Sequence, residues 1–170
     1  EVTFDSALAG ERFLLNGQEL LLTEDLNIDA SAAGGVTIDA QGDSRVIQIA
    51  GTASASLNAV TIAKGSAANG GGAGIHVPFG ALTLANSVMV GNDGNAVYSL
   101  GGTVLVTNST IAGNWSSVVE GAIHNTSGTS IVRNSIVALN GLRVDGLQIS
   151  GNYTIQNCLV GVSPGFVRDP

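Results

Sequence analysis

The phrase Leu82-Thr83-Leu84-Ala85-Asn86-Ser87-Val88-Met89-Val90-Gly91-Asn92 recurs as Val104-Leu105-Val106-Thr107-Asn108-Ser109-Thr110-Ile111-Ala112-Gly113-Asn114. It returns over Ser130–Asn140, and in looser form from Tyr153 to Ser163. Anchored on the central asparagine, the copies fall at Asn86, Asn108, Asn134 and Asn157, with Ala59 in the equivalent place one unit earlier. Two positions before the anchor stand Leu57, Leu84, Val106, Val132 and Ile155; three after it stand Ile62, Met89, Ile111, Val137 and Val160. A unit this short cannot bury an apolar face alone. Fixed residue types at fixed offsets therefore mean that successive units stack on one another.

The asparagine itself explains how the chain can turn in every unit. Asn tolerates left-handed backbone conformations, and its short polar side chain bonds to neighbouring groups. The reading is two short strands meeting at an Asn corner, with Asn86, Asn108, Asn134 and Asn157 forming a structural ladder of side chains. A second column supports the register. His76, Tyr98 and His124 lie ten residues before their anchors, and Gln148, nine before Asn157, is expected to extend that column. Insertions then fall in turns such as Asn69-Gly70-Gly71-Gly72-Ala73-Gly74.

Units of 22 to 27 residues with short alternating strands point to an all-β chain, a right-handed parallel β-helix (solenoid) of about six or seven coils with an N-terminal cap. The Leu-x-x-Leu-x-Leu spacing of leucine-rich repeats is absent, and a β-sandwich would not hold the same residue types in register over four anchors. The chain reads as a single domain, 1–170. Residues 1–29, with Phe4, Leu8, Phe13 and Leu14 placed to cover a core, form the cap and first strands; residues 30–170 form the coils. Nothing after Val167 reads as a cap, so the C-terminal end is expected to continue into further chain or to pack on a partner.

Charge narrows the partners. The net charge of −7, with Lys64 the only lysine and five scattered arginines, excludes a nucleic-acid binder, which needs clustered cations. Direct membrane insertion is not expected, and an anionic membrane surface is disfavoured for the same reason. With one cysteine, Cys158, there is no internal disulfide.

The phrase Leu-Thr-Leu-x-Asn-Ser-x-x-x-Gly-Asn resembles the repeats of secreted bacterial β-helix proteins related to polymorphic outer-membrane proteins and autotransporter passengers. The N-terminal runs Val2–Asp5 and Glu19–Asp29, and the closing Asn157–Val162 with Pro164–Val167, are similar to the ends of such passengers. The resemblance covers nearly the whole chain and implies export and display at a bacterial cell surface, secreted or anchored. The Gly-Gly-Ala-Ile motif of polymorphic outer-membrane repeats is only partial here, and no calcium-binding nonapeptide array is present.

Of the residues with chemistry, His76, Tyr98 and His124 form the one column worth testing, as a candidate binding stripe for sugar rings or for proton transfer. The two histidines, two coils apart, are too distant to ligate one metal, and the bland alternative is a solvent-exposed stacking ladder. Glu120, Asp93 and Asp145 share no offset, so no carboxylate pair forms. Asp39, Asp43 and Arg45 read as parts of polar turns. Asn108, Asn114, Asn125 and Asn152 head chance glycosylation sequons. Cys158 occupies a serine column and reads as a small packed residue, while Trp115 in a turn could stack on a partner or on the solenoid. The threonines do not form the two-column array of an ice-binding face.

The expectation is an exported surface or passenger domain acting as adhesin, spacer or binding module for a glycan or a cell-surface protein, with no catalysis, cofactor or metal. The alternative is a carbohydrate-active β-helix enzyme, a lyase or hydrolase, or a fragment of one. The fold class by itself includes such enzymes.

Overall fold

In the computed structural model, which describes residues 1–67, 71–116, 121–141 and 148–161, the repeated phrase becomes one turn of a parallel β-solenoid. Alternation decides which side chains go inward. In Leu82-Thr83-Leu84 and Val104-Leu105-Val106 the outer two residues of each triplet are sealed and the middle one is not, the period-2 pattern of a strand with one buried face. Each turn holds three short strands. The first contains β1 (Val2–Thr3), β2 (Arg12–Leu14) and β3 (Leu20–Leu22); the second β4 (Leu26–Asp29), β5 (Val36–Asp39) and β6 (Ile47–Ile49). The third contains β7 (Ser54–Asn58), β8 (Val60–Ala63) and β9 (Ile75–Val77), and the fourth β10 (Ala81–Ala85), β11 (Val88–Val90) and β12 (Val97–Ser99). Then come β13 (Thr103–Thr107), β14 (Thr110–Ala112), the bent β15 (Ile123–Arg133), β16 (Ile136–Ala138), β17 (Ile149–Gln156) and β18 (Leu159–Val160). These complete six turns and begin a seventh.

All the pairings are parallel and join residues one turn apart. Leu57, Leu84, Val106, Val132 and Ile155 pair in sequence, as do Ile62, Met89, Ile111, Val137 and Val160. Both columns fill the lumen, and from Leu57 to Val132 and Ile62 to Val137 every member is fully buried. Burying a Leu, Ile or Val contributes roughly 1.5–3 kcal/mol relative to exposure, so these columns are the core. The segment expected as cap and first strands is hydrogen-bonded as a rung: β1, β2 and β3 pair with β4, β5 and β6. Phe4 packs on the core and meets Phe13 ring to ring at 5.3 Å.

The corner asparagines adopt the expected conformation. Asn86, Asn108, Asn134 and Asn157 have φ between 49° and 53°, and Ala59 has φ 56°. Their side chains face solvent, and the chain of side-chain bonds at this edge runs from Asp29 through Asn58 and Asn86 to Asn108, at 2.9, 2.8 and 3.4 Å. The ladder that carries buried hydrogen bonds lies six residues further on, at the last residue of the repeated phrase. Asn92 Nδ2 donates to Asn114 Oδ1 at 2.7 Å, Asn114 Nδ2 to Asn140 Oδ1 at 2.9 Å, and Asn140 Nδ2 to Gln148 Oε1 at 2.8 Å. Beside the corner the serine hydroxyls make a third line. The Ser109 and Ser135 hydroxyls accept from the backbone N–H of Ser87 and Ser109 and donate to Thr107 and Arg133 carbonyls. Cys158 continues the column, its thiol directed at the Gln156 and Val132 carbonyls; it is a packed residue of the corner.

Asp39 is a structural staple. Its carboxylate is buried, accepts the Gln41 N–H at 2.7 Å, and lies 3.1 Å from Arg12 and 3.3 Å from Lys64. Those three residues come from successive turns, so one buried charge ties the first three rungs together. A buried carboxylate without its cations would be strongly destabilising.

Candidate functional site

From the second turn to the fifth the third strand has the pattern buried, half-buried, buried, so only its central side chain can reach the outside. Register places Leu21, Gln48, His76, Tyr98, His124 and Ser150 in that central column. The column extends through Ser150. Gln148, expected to extend it, instead turns inward and holds the end of the buried ladder, donating to the Asn140 carbonyl at 3.1 Å. The β17 strand is shorter between its two arms than β15, with a register shift after Asn125, and an offset counted from Asn157 therefore lands two residues early.

The three rings form a continuous stack. His76 and Tyr98 have centroids 5.6 Å apart at 24°, and Tyr98 and His124 are 5.4 Å apart at 13°. Strand spacing near 4.8 Å brings equivalent rings close to face-to-face contact, so the solenoid itself imposes the stack. Its two ends differ. At His124, Nδ1 shares a 2.6 Å hydrogen bond with the Ser150 hydroxyl, and the Thr126 hydroxyl lies 3.4 Å from Nε2. At His76, both ring nitrogens are covered, and neither has a hydrogen-bond partner among the described residues.

Gly71 and Gly72 run beside the stack. A Cβ on Gly72 would lie 3.0 Å from His76 Cβ, and one on Gly71 3.4 Å from the Tyr98 ring. Gly72 also has φ +66°. The turn is held by Arg45, which donates to the Gly72 carbonyl at 2.8 Å and the Gly71 carbonyl at 3.3 Å. The same guanidinium reaches Gln48 Oε1 at 2.6 Å and Glu19 Oε2 at 3.0 Å. Arg45, expected in a polar turn, thus holds the backbone of Gly71 and Gly72 beside the stack.

Burial, and then the nearby Arg45 charge, lower the His76 pKa below its ordinary value of 6.5. The folded protein holds His76 neutral where an unfolded chain takes up a proton. This contribution to stability is fully present above about pH 6.5 and is lost as pH falls from there towards the lowered folded value. His76→Phe keeps a ring in the stack and removes both unpartnered nitrogens, so it is expected to raise stability by about 1–2 kcal/mol. Melting temperatures at pH 7.5 and 5.5 should lie closer together in the variant than in the wild type. An unchanged gap would show that another group governs the acid response.

Three residues after His76, Phe79 is 64 % exposed, and a Cβ on Gly101 would meet its ring at 3.4 Å. Phe79 follows His76 by three residues but belongs to no repeated column, so periodicity alone gave no reason to single it out. On the strands β4, β7 and β10, Asp25, Asn27, Ser54, Ser56 and Thr83 line a shallow depression of about 410 Å³.

The other singled-out residues do not converge on the stack. Trp115 is exposed on a turn whose backbone bridges to Asp93 and Gly141. Asn114 and Asn125, heads of two sequons, are buried. Glu120 and Asp145 lie outside the described residues. No cluster of three metal-ligating side chains occurs among the described residues. No family model, no curated protein and no solved structure matches this chain.

Proposed function

We propose that this chain is an exported, surface-displayed solenoid domain that binds a glycan, or a glycosylated surface protein, on the face bearing His76, Tyr98 and His124. The observation that carries the reading is the three-ring stack of His76, Tyr98 and His124, together with the exposed ring of Phe79 three residues after His76. Aromatic rings fixed before binding lose little conformational freedom when a ligand arrives; the exposed Phe79 ring suits the C–H face of a sugar, and the half-buried Tyr98 and His124 offer their edges and polar atoms. The Ser150 and Thr126 hydroxyls beside His124 supply the polar partners that such a ligand needs. Export and surface display rest on the resemblance of the repeated phrase and of the chain ends to bacterial passengers.

One contact favours the catalytic alternative. A histidine sharing a 2.6 Å bond with a serine hydroxyl is the geometry of a proton-transfer pair. Affinity electrophoresis through gels containing neutral or acidic polysaccharides separates the two readings. Binding appears as retardation, and Phe79→Ala or Tyr98→Ala should weaken it about tenfold, the equivalent of about 1.4 kcal/mol, with unchanged melting temperature for Phe79→Ala. Depolymerisation of a retained polysaccharide, lost in His124→Ala, would instead establish an enzyme. Mobility independent of every polysaccharide would overturn the glycan reading.

A further inference from the structure

One end of the ring stack makes no hydrogen bonds, and it lies next to a fixed positive charge. Register sets Gln48 one turn before His76, with the two backbones about 4.8 Å apart at the spacing of neighbouring strands. The Gln48 carbonyl is engaged elsewhere: its Oε1 accepts from Arg45 Nη1 at 2.6 Å. Arg45 directs its other donors at the carbonyls of Gly72 and Gly71 and at Glu19. His76 therefore keeps two buried ring nitrogens with no partner among the described residues. The acceptor nearest in register, carried on an unbranched side chain, is held by its neighbour.

We infer that a proton on His76 draws the Gln48 carbonyl away from Arg45, loosens the Gly71 and Gly72 backbone that Arg45 holds, and so regulates the binding face in acid; the last step rests on the glycan reading proposed above. On the preceding turns the charged groups are Arg45 and Glu19, paired with each other at 3.0 Å. Asp43, two residues before Arg45, lies against Gly17 instead. On the following turns are Tyr98 and, beyond it, His124. Gly71 and Gly72 bring only backbone. An imidazolium has two N–H donors to satisfy, and burying them unpaired costs more than exchanging a neutral acceptor. Gln48 Oε1 is that acceptor. Arg45 can release it because it keeps Glu19, a bond between opposite charges and the strongest of its four. Burial, and then the Arg45 charge, hold the ring neutral until the pH falls below the ordinary 6.5, so the exchange belongs to mildly acidic surroundings. With Gln48 gone from Arg45, the glycines beside His76 and Tyr98 lose part of what fixes them, and a preorganised face becomes a less ordered one.

NMR titration of the full chain from about pH 8 to about pH 5 reads the exchange directly. The His76 ring nitrogens report the proton, and the Arg45 Nε–H with the Gly71 and Gly72 amides reports the grip on the backbone. All should move with one midpoint below 6.5, while the side-chain amides of Asn92 and Asn114 stay still. In Gln48→Leu the acceptor is gone, and the His76 midpoint should fall by about one pH unit. In His76→Phe the Arg45 and glycine signals should not respond over this range. A His76 titration that leaves those signals unmoved, or a midpoint unchanged in Gln48→Leu, would overturn the inference. Affinity electrophoresis tests the regulation. Retardation by a polysaccharide bound at neutral pH should weaken about threefold below the His76 midpoint, and in Gln48→Leu it should be the same at both pH values. Equal retardation of the wild type at both would overturn the regulation and leave the glycan reading standing. Retardation by no polysaccharide at either pH would overturn the glycan reading and the regulation with it, and the titration alone would then decide the exchange of acceptor.

Discussion

Asn114→Ala is expected to lower the stability of this protein by about 3–4 kcal/mol. The side chain is buried and makes five hydrogen bonds. Its Oδ1 accepts from the backbone and the side chain of Asn92, and its Nδ2 donates to Met89, Ala112 and Asn140. Truncation leaves the Asn92 N–H and one hydrogen of its amide without an acceptor in a dry interior. Each such orphan costs about 1–3 kcal/mol, and the small cavity adds to that. In a domain of this size the melting temperature should fall by roughly 6–15 °C. Asn108→Ala is the control. Asn108 is exposed, holds one long bond at 3.4 Å and sits at φ 50°, so its loss should cost about 1 kcal/mol, the left-handed strain of an alanine. Urea titration of both variants decides the matter; equal losses would mean that the buried ladder is not the stabilising one.

The second large effect comes from a glycine with no left-handed backbone. A Cβ on Gly128 would stand 1.9 Å from the Gly102 carbonyl oxygen and 2.8 Å from the carbonyl carbon of Gly101. Gly102 in turn would put a Cβ 2.5 Å from the Gly80 oxygen, and Gly80 one 1.8 Å from the Ala53 oxygen. Gly80, Gly102 and Gly128 thus form a column in which each backbone lies directly on the next. Backbone cannot yield as a flexible side chain can, so Gly128→Ala is expected to cost about 4 kcal/mol or more. It should show as loss of soluble, folded protein or a sharply lowered urea midpoint. Gly113→Ala provides the contrast. There φ is +66° but the nearest heavy atom is 3.8 Å away, and the loss should be only about 1 kcal/mol. Comparable losses in the two variants would remove the close-packing account.

Much of the fold was legible because the repeat is a one-dimensional code. Once Asn86, Asn108, Asn134 and Asn157 are aligned, the lumen columns and the pairing of His76, Tyr98 and His124 follow, since parallel strands one turn apart bring equal offsets together. Two kinds of information escaped. The first is direction. Asn86 and Asn92 are equally conspicuous in the phrase, yet the left-handed corner turns the first outward and the second inward. The buried ladder therefore belongs to the residue that reads as a closing turn. The second is insertion length. The count back from Asn157 fails because β17 spans its bend with fewer residues than β15, and so Ser150, not Gln148, stands beside His124.

The site divides in the same way. Sequence placed three rings in one column, but it gave no sign that Arg45 would bind the Gly71 and Gly72 carbonyls and hold them beside that column. Asp39, close to Arg45 in the chain, points elsewhere and is neutralised by Arg12 and Lys64 from the turns on either side. Phe79 stands outside the repeat, and its exposure next to Gly101 is set by the tertiary structure alone.

What the sequence determined by itself was the unit, its register and its stacking direction, because those depend on residue types recurring at offsets fixed by the rise between turns. What the tertiary structure alone decided was the side of the wall on which each polar group falls and which rings are covered. That depends on backbone handedness at single corners and on contacts between turns of unequal length, and neither is encoded in periodicity.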